Sequence, residues 1–250
     1  DKLTYIEFLR QKGVDLRKDL LEADISTLGL TGVTGKPHGI VVDTRCRTRV
    51  PGLFVAGVCA QGAYALIGAL AQGLAAGYAS AEDAQALPRR LEPDPVQVDA
   101  LKQWTFAPLW LKEGIPYKEW DDRRATIMSD YVGIGRDEAG LHKAEALLQE
   151  MAGETDHLQA DNLHELMRAI EAQHMLVVSR CITKAALERK ESRYGHGHLR
   201  LDYPKMDDPQ WHGSIYVSKD GDEVAWRFVP TDQATDEAML CKKATAGSRD

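Results

Sequence analysis

The chain has 250 residues, a net charge of −7, and 44% hydrophobic and 28% charged residues. That length allows one large domain or two small ones, and the acidic balance argues against a surface built to grip nucleic acid or an anionic membrane. No apolar run reaches the ~18 residues a membrane span needs, and no CxxC joins any of Cys46, Cys59, Cys181 and Cys241, so no iron–sulfur or zinc framework is offered and the thiols read as reduced, in a cytoplasmic protein.

The opening "DKLTYIEFLRQKG" is polar and amphipathic, unlike a signal peptide, and a start at Asp1 reads as a fragment or a processed chain. Leu3, Ile6 and Leu9 fall at helical spacing and the run stops at Gly13, which predicts a short helix. "GIVVD" (39–43) and "GLFVAG" (52–57) predict two short strands. From about Leu66 an Ala-rich helix is expected, with Gly68, Ala69, Gly73, Ala76 and Gly77 allowing close packing. "PRRLEPDP" (88–95) marks a boundary, and 88–116 is expected as a linker. Trp104, Trp110 and Trp120 read as core or interface anchors.

Three amphipathic helices are predicted next. Trp120, Ile127, Met128 and Tyr131 share one face. Leu141, Ala144, Leu148 and Met151 share a face of the helix that follows "GIGRDEAG". Leu163, Leu166, Met167, Ile170, Val177, Val178, Cys181, Ile182 and Ala185 form a stripe along a helix at about 160–190. Short links favour an antiparallel bundle. Asp121–Arg124 reads as a charged helix face, and Lys184, Arg189 and Lys190 as solvated helix-end charges. "SIYVSKDGDEVAWRFVP" (214–230) predicts a hairpin turning at Lys219–Asp222. The last twenty residues are polar and expected to fray.

The chemistry concentrates in two places. In "TRVPGLFVAGVCAQGAYALIGALAQGLAAG" (48–77) a strand runs into a Gly-rich loop and then a helix start. The amides and dipole there suit a phosphate or the electron-rich edge of a reduced flavin, and a ligand-free crossover fits the composition equally. Neither GxGxxG nor a Walker pattern occurs. In "ESRYGHGHLRLDYP" (191–204), two His and two Arg fall between Arg193 and Arg200. His196 and His198 would share a strand face, but ligand-spaced Cys or carboxylates are missing and the arginines repel a cation, so no metal is expected. An anion clamp by Arg193 and Arg200 competes with a structural role at the end of the long helix.

"HGIVVDTRCRTRVPGLFVAG…GALAQGLAAG", "MSDYVGIGRDEAGLHKAEALL" and "ESRYGHGHLRLDYPKMDDPQW" together resemble the succinate dehydrogenase/fumarate reductase flavoprotein family over about residues 1–230. The last motif is most similar to the adenylylsulfate-reductase-like branch. The resemblance implies an α+β chain: the end of a FAD-binding α/β domain, then a C-terminal three-helix bundle and a β-hairpin. It places the end of a capping region at 1–35, the final FAD-domain segment at 36–87, the linker at 88–116, the bundle at 117–204, and the hairpin and tail at 205–250.

It further implies a FAD-dependent oxidoreductase that is incomplete without an N-terminal FAD-binding half or subunit. That enzyme would act on a small-molecule substrate and exchange electrons with an iron–sulfur, ferredoxin-like partner. Cofactor contacts fall on Gly57, Val58, Ala65, Leu66, Ile67 and Gly68, and catalytic candidates are His38, Arg193, His198 and Arg200. Three departures matter. Val58 stands where the family has Glu or Asp, the loop "CAQGAYALIG" lacks the family's substrate-clamping Arg, and His38 occupies the first Gly of a "GGI" motif whose preceding His is missing. The last two argue against succinate or fumarate. The competing reading is a non-catalytic assembly subunit that kept the fold and lost its flavin contacts; a different nucleotide in the same pocket is a third. Arg193, His196, His198 and Arg200 are expected to pack against the flavin domain.

Overall fold

The computed structural model describes residues 2–15, 17–19, 39–60, 65–88, 92–193 and 197–231. Helix α1 (Lys2–Gln11) fills the first periodic run and ends where Lys12 and Gly13 turn back onto its last carbonyls. Among the described residues, the two runs expected as strands pair only at single bridges, Ile40 with Ala60 and Arg47 with Phe54. Turns at 43–46 and 50–53 reverse the chain on either side of Arg47, so a ladder cannot extend. Helix α2 (Ala65–Ala86) follows close to its expected start.

The stretch expected as a linker carries a helix, α3 (Pro95–Trp110). Asp94 caps it by accepting the Val96 amide at 3.0 Å, and Pro95 takes the first helical position, where its missing N–H is not needed. Its aromatic and Pro-containing end disguises the periodicity. Pro108 sits in the last turns, with its carbonyl accepting the Ala160 amide at 2.9 Å.

The bundle consists of α4 (Tyr117–Val132), α5 (Glu138–Ala152) and α6 (Leu163–Glu188), each packed against the other two. Asp137 accepts the Gly140 amide at 2.7 Å to start α5, which therefore begins inside "GIGRDEAG" rather than after it. Asn162 accepts the Glu165 amide at 3.0 Å, and Glu165 reaches back to the Asp161 amide at 3.0 Å, a reciprocal cap on α6. Two-residue parallel clips tie the ends together. β1 (Ile115–Pro116) pairs with β3 (Leu158–Gln159), and β2 (Gly135–Arg136) pairs with β4 (Leu199–Arg200). Beyond the short helix α7 (Asp208–Trp211), β5 (Gly213–Asp220) and β6 (Glu223–Pro230) form the hairpin. Asp220 pairs with Glu223, so the turn is only Gly221–Asp222.

Trp120, Ile127, Leu141, Ala144, Leu148, Met151, Leu158 and Leu176 form the core. The expected faces of α4 and α5 are the buried ones. On α6 the period holds but the phase differs. The buried line is Leu166, Ala169, Ala172, Leu176, Ser179, Thr183 and Ala186, while Leu163, Met167, Val177, Val178 and Ile182 are exposed. Small residues let α6 approach α4 closely, and the two hydroxyls find partners there: Ser179 accepts from Arg124 Nη1 at 3.2 Å and Thr183 lies 3.8 Å from Met128 Sδ. Arg124 is thus buried between helices, not part of a solvated face. Trp120 is fully buried, whereas Trp104 and Trp110 are exposed. The architecture is α+β: a turn–helix unit, a three-helix bundle and a hairpin.

Candidate functional site

The first candidate lies where the 39–60 segment meets α2. Asp43 organises its turn, its carboxylate accepting the Arg45 and Arg47 amides at 2.8 and 2.9 Å. The turn is fastened to α2 by Arg45 with Glu82, and by Arg47, whose Nε donates to Asp83 at 2.8 Å. Ile40 donates its amide to the Cys59 carbonyl at 2.8 Å, and Gly39 must be glycine there, since a Cβ would stand 2.6 Å from that oxygen. Gly57 adopts φ +86°, a left-handed value that favours glycine, and the chain turns outward at Val58.

Val58, Leu66 and Ile67 then stand 73%, 72% and 79% exposed, an apolar step at the N-terminal end of α2. Leu70, Leu74 and Tyr78 continue it at four-residue spacing along one exposed ridge. Gly68 is half-buried, Ala65 begins the helix, and 61–64 lie outside the described residues. Exposed apolar surface beside the amides of a helix start suits a flat, mostly apolar ring with one electron-rich edge, so these residues fit the isoalloxazine part of a flavin.

The second candidate closes the C-terminal end of α6. Arg200 is fully buried. Its Nη1 donates to the carbonyls of Ala186, Leu187 and Arg189 at 2.9, 3.0 and 3.2 Å, and its Nε and Nη2 hold Asp202 at 2.8 and 2.7 Å. It thereby satisfies carbonyls that a helix end leaves open, and it holds the Asp202 carboxyl below its ordinary value. Glu191, also fully buried, takes Arg189 and Arg193 as partners and accepts the Asp207 amide at 2.9 Å. Arg193 further donates to Asp208 at 2.7 Å. Ser192 Oγ accepts the Arg200 amide at 2.8 Å.

His198 Nε2 lies 3.1 Å from the Arg189 carbonyl. Burial, then the neighbouring Arg136, pushes its pKa down to about 4, so the ring is neutral near pH 7 and donates that bond. Burial and Arg200 likewise lower Arg136 to about 10. Its Nη2 donates to the Gly197 carbonyl at 3.1 Å.

Arg193, His198 and Arg200 are therefore brought together, and among the described residues the bonds they make go to α6, α7 and the segments beside them, whereas packing against residues 36–87 was expected. His38 and His196 lie outside the described residues. Arg189, expected as a solvated charge, instead donates to the Trp211 carbonyl at 3.0 Å and stacks over the Trp211 ring at 5.6 Å. Lys184 and Lys190 pair with Glu188 and Glu138 at 2.8 and 3.1 Å. Sequence reasoning passed over Glu191, Asp202 and Arg136. The signal available was acidic residues alternating with arginines directly after a helix that has no basic residue in its last turn. Among the described residues no group of three or more His, Cys, Asp or Glu could hold a metal ion, and none of their helices is long and apolar enough to cross a membrane.

Residues 122–240 match the family model described as fumarate reductase flavoprotein C-term. An uncharacterised FAD-dependent oxidoreductase of Methanocaldococcus jannaschii is 29% identical over 226 residues, covering 84% of this chain and 38% of that protein. The Sdh1 complex of Mycobacterium smegmatis contains a chain similar in structure, with a TM-score of 0.72 and 29% identity over 91% of this chain and 40% of that one. Adenylylsulfate reductase of Archaeoglobus fulgidus is similar with a TM-score of 0.70 and 25% identity, covering 80% of this chain and 38% of that one. The chain thus spans well under half the length of the proteins it matches.

Proposed function

Given that the chain belongs to the succinate dehydrogenase/fumarate reductase family of FAD-containing flavoproteins, we propose that it forms the C-terminal part, or a subunit, of a FAD-dependent oxidoreductase and contributes one wall of the flavin site. The observation that carries this is the exposed apolar step of Val58, Leu66 and Ile67 at the start of α2. Bound there, the flavin supplies hydride and single-electron chemistry. The chain's own part is to orient and shield it. The Gly57 turn and Val58 present backbone to the cofactor. The amides from Ala65 to Gly68 donate toward its electron-rich edge, where the helix dipole favours negative charge. Leu66 and Ile67 exclude water.

The substrate is a small molecule other than succinate or fumarate, because the segment from Val58 to Ile67 carries no basic side chain to clamp a carboxylate. The remaining dinucleotide site belongs to an N-terminal half or partner subunit. Electrons pass to or from a ferredoxin-like iron–sulfur subunit, since this sequence has no cluster-binding CxxC, and the complex works in the cytoplasm. The bonds that Arg193, His198 and Arg200 make around the end of α6 favour a supporting role for them, with His38 the remaining candidate to face substrate. One observation favours an assembly subunit instead: Val58 offers no side-chain hydrogen bond where the family has an acid. The visible absorbance of oxidised flavin in the purified complex tests the proposal. Flavin that can be cross-linked near residues 57–68 is the expected result, and a colourless complex leaves the assembly reading.

A further inference from the structure

Between residues 65 and 77, "ALIGALAQGLAAG", only Gln72 carries a side chain with a hydrogen-bonding group. That side chain is half-buried and its Oε1 accepts the Gly57 amide at 3.0 Å. The backbone carbonyl of the same residue accepts the Cys46 thiol at 3.4 Å. One residue of α2 therefore holds both the 43–46 turn and the Gly57 turn. The Gly57 carbonyl in turn accepts the Ala60 amide at 2.9 Å, so both polar backbone groups of Gly57 are fixed, one by α2 and one by the next turn. Gly57 has φ +86°, and the peptide after it leads to Val58, 73% exposed. With no acid at 58, what the turn can offer a ligand is its backbone, and backbone presented from a left-handed glycine is only as well aimed as the bonds that restrain it.

We infer that Gln72 is a positioning residue of the flavin site: its side-chain oxygen holds the N–H of the Ala56–Gly57 peptide against α2, and so sets the direction in which the Gly57 turn presents the backbone at Val58. This rests on the flavin reading of that site. Leu at 72 has similar bulk but no acceptor, which leaves the Gly57 N–H unpaired; Glu keeps an acceptor oxygen in the same place.

The test uses the holoenzyme complex carrying Gln72→Leu or Gln72→Glu, with Gln72→Met as the second acceptor-free variant should the Leu variant fail to fold. Three quantities are read: hydrogen exchange at the Gly57 amide, the FAD dissociation constant and the visible circular dichroism of the bound flavin. The acceptor-free variant is expected to speed exchange at Gly57, weaken FAD about tenfold, as loss of one hydrogen bond does, and alter the flavin dichroism. Gln72→Glu restores all three toward wild type. Unchanged affinity and dichroism in a variant whose Gly57 exchange has quickened overturns the inference, as does equal loss in the Glu and Leu variants. A wild-type complex without flavin overturns the underlying reading, and that outcome is recognised from the wild-type spectrum alone.

Discussion

Arg200→Met would strip the α6 carbonyls of their donor and leave Asp202 beside the gap. The guanidinium is fully buried, holds Asp202 and the Ala186, Leu187 and Arg189 carbonyls, and lies 4.0 Å from the Glu138 carboxylate, so the loss should resemble the breaking of a buried pair, about 3–5 kcal/mol. Urea unfolding of the variant measures it; a loss below about 1 kcal/mol, the range of exposed pairs, would rule out the capping role. His198 makes a second prediction through pH. Its pKa falls from 6.5 unfolded to about 4 folded. The unfolded chain therefore binds a proton that the folded chain refuses, and stability is held above pH 6.5 and lost as pH falls toward 4. The slope from this one group is at most about 1.4 kcal/mol per pH unit. His198→Gln should flatten the stability–pH curve in that window. The lowered Asp202 carboxyl, whose ordinary value is 3.8, acts in the same direction but at lower pH.

The helices rest on their caps as well as on their faces. Asp137→Ala and Asn162→Ala each remove the acceptor of a first-turn amide, at 2.7 and 3.0 Å. Each should cost about 1 kcal/mol in thermal or urea unfolding, and additively, because they cap different helices. The contrast between α5 and α6 explains what could be read in advance. On α5, one apolar stripe alternates with charge, and period and phase both follow from the sequence. On α6, apolar residues lie on two sides, and the side that packs is lined by Ala169, Ala172, Ser179, Thr183 and Ala186. Hydrophobicity points to the larger side chains, whereas close helix approach selects the smaller ones, so the phase was illegible. The strands at 39–43 and 52–57 failed for another reason, since a strand exists only with neighbours and composition does not record where the chain turns. The glycine-rich turn was legible as a backbone feature, but Gln72 was not. A single polar residue in an Ala-rich helix carries no pattern until Gly57 is seen beside it.

At the scale of the whole molecule, the ridge of Leu66, Leu70, Leu74 and Tyr78 is 63–72% exposed in a chain that spans 38% of the length of its Methanocaldococcus relative. A surface of that kind is costly in water, and flavin and partner chain are what the proposed function supplies to cover it. Ile67, at 79% exposure, separates the two contributions. Ile67→Asn removes little that the chain buries by itself, so its intrinsic unfolding should shift by no more than about 0.5 kcal/mol. In the complex, free FAD at about 100 times its dissociation constant should stabilise the wild type by about 2.7 kcal/mol. If the cofactor lies over the start of α2, most of that increment is lost in the variant while far-UV circular dichroism stays the same. Thermal unfolding of both complexes with and without added FAD gives the comparison. An undiminished increment in Ile67→Asn would move the flavin away from α2, because a ligand stabilises only through the contacts it makes with the folded state.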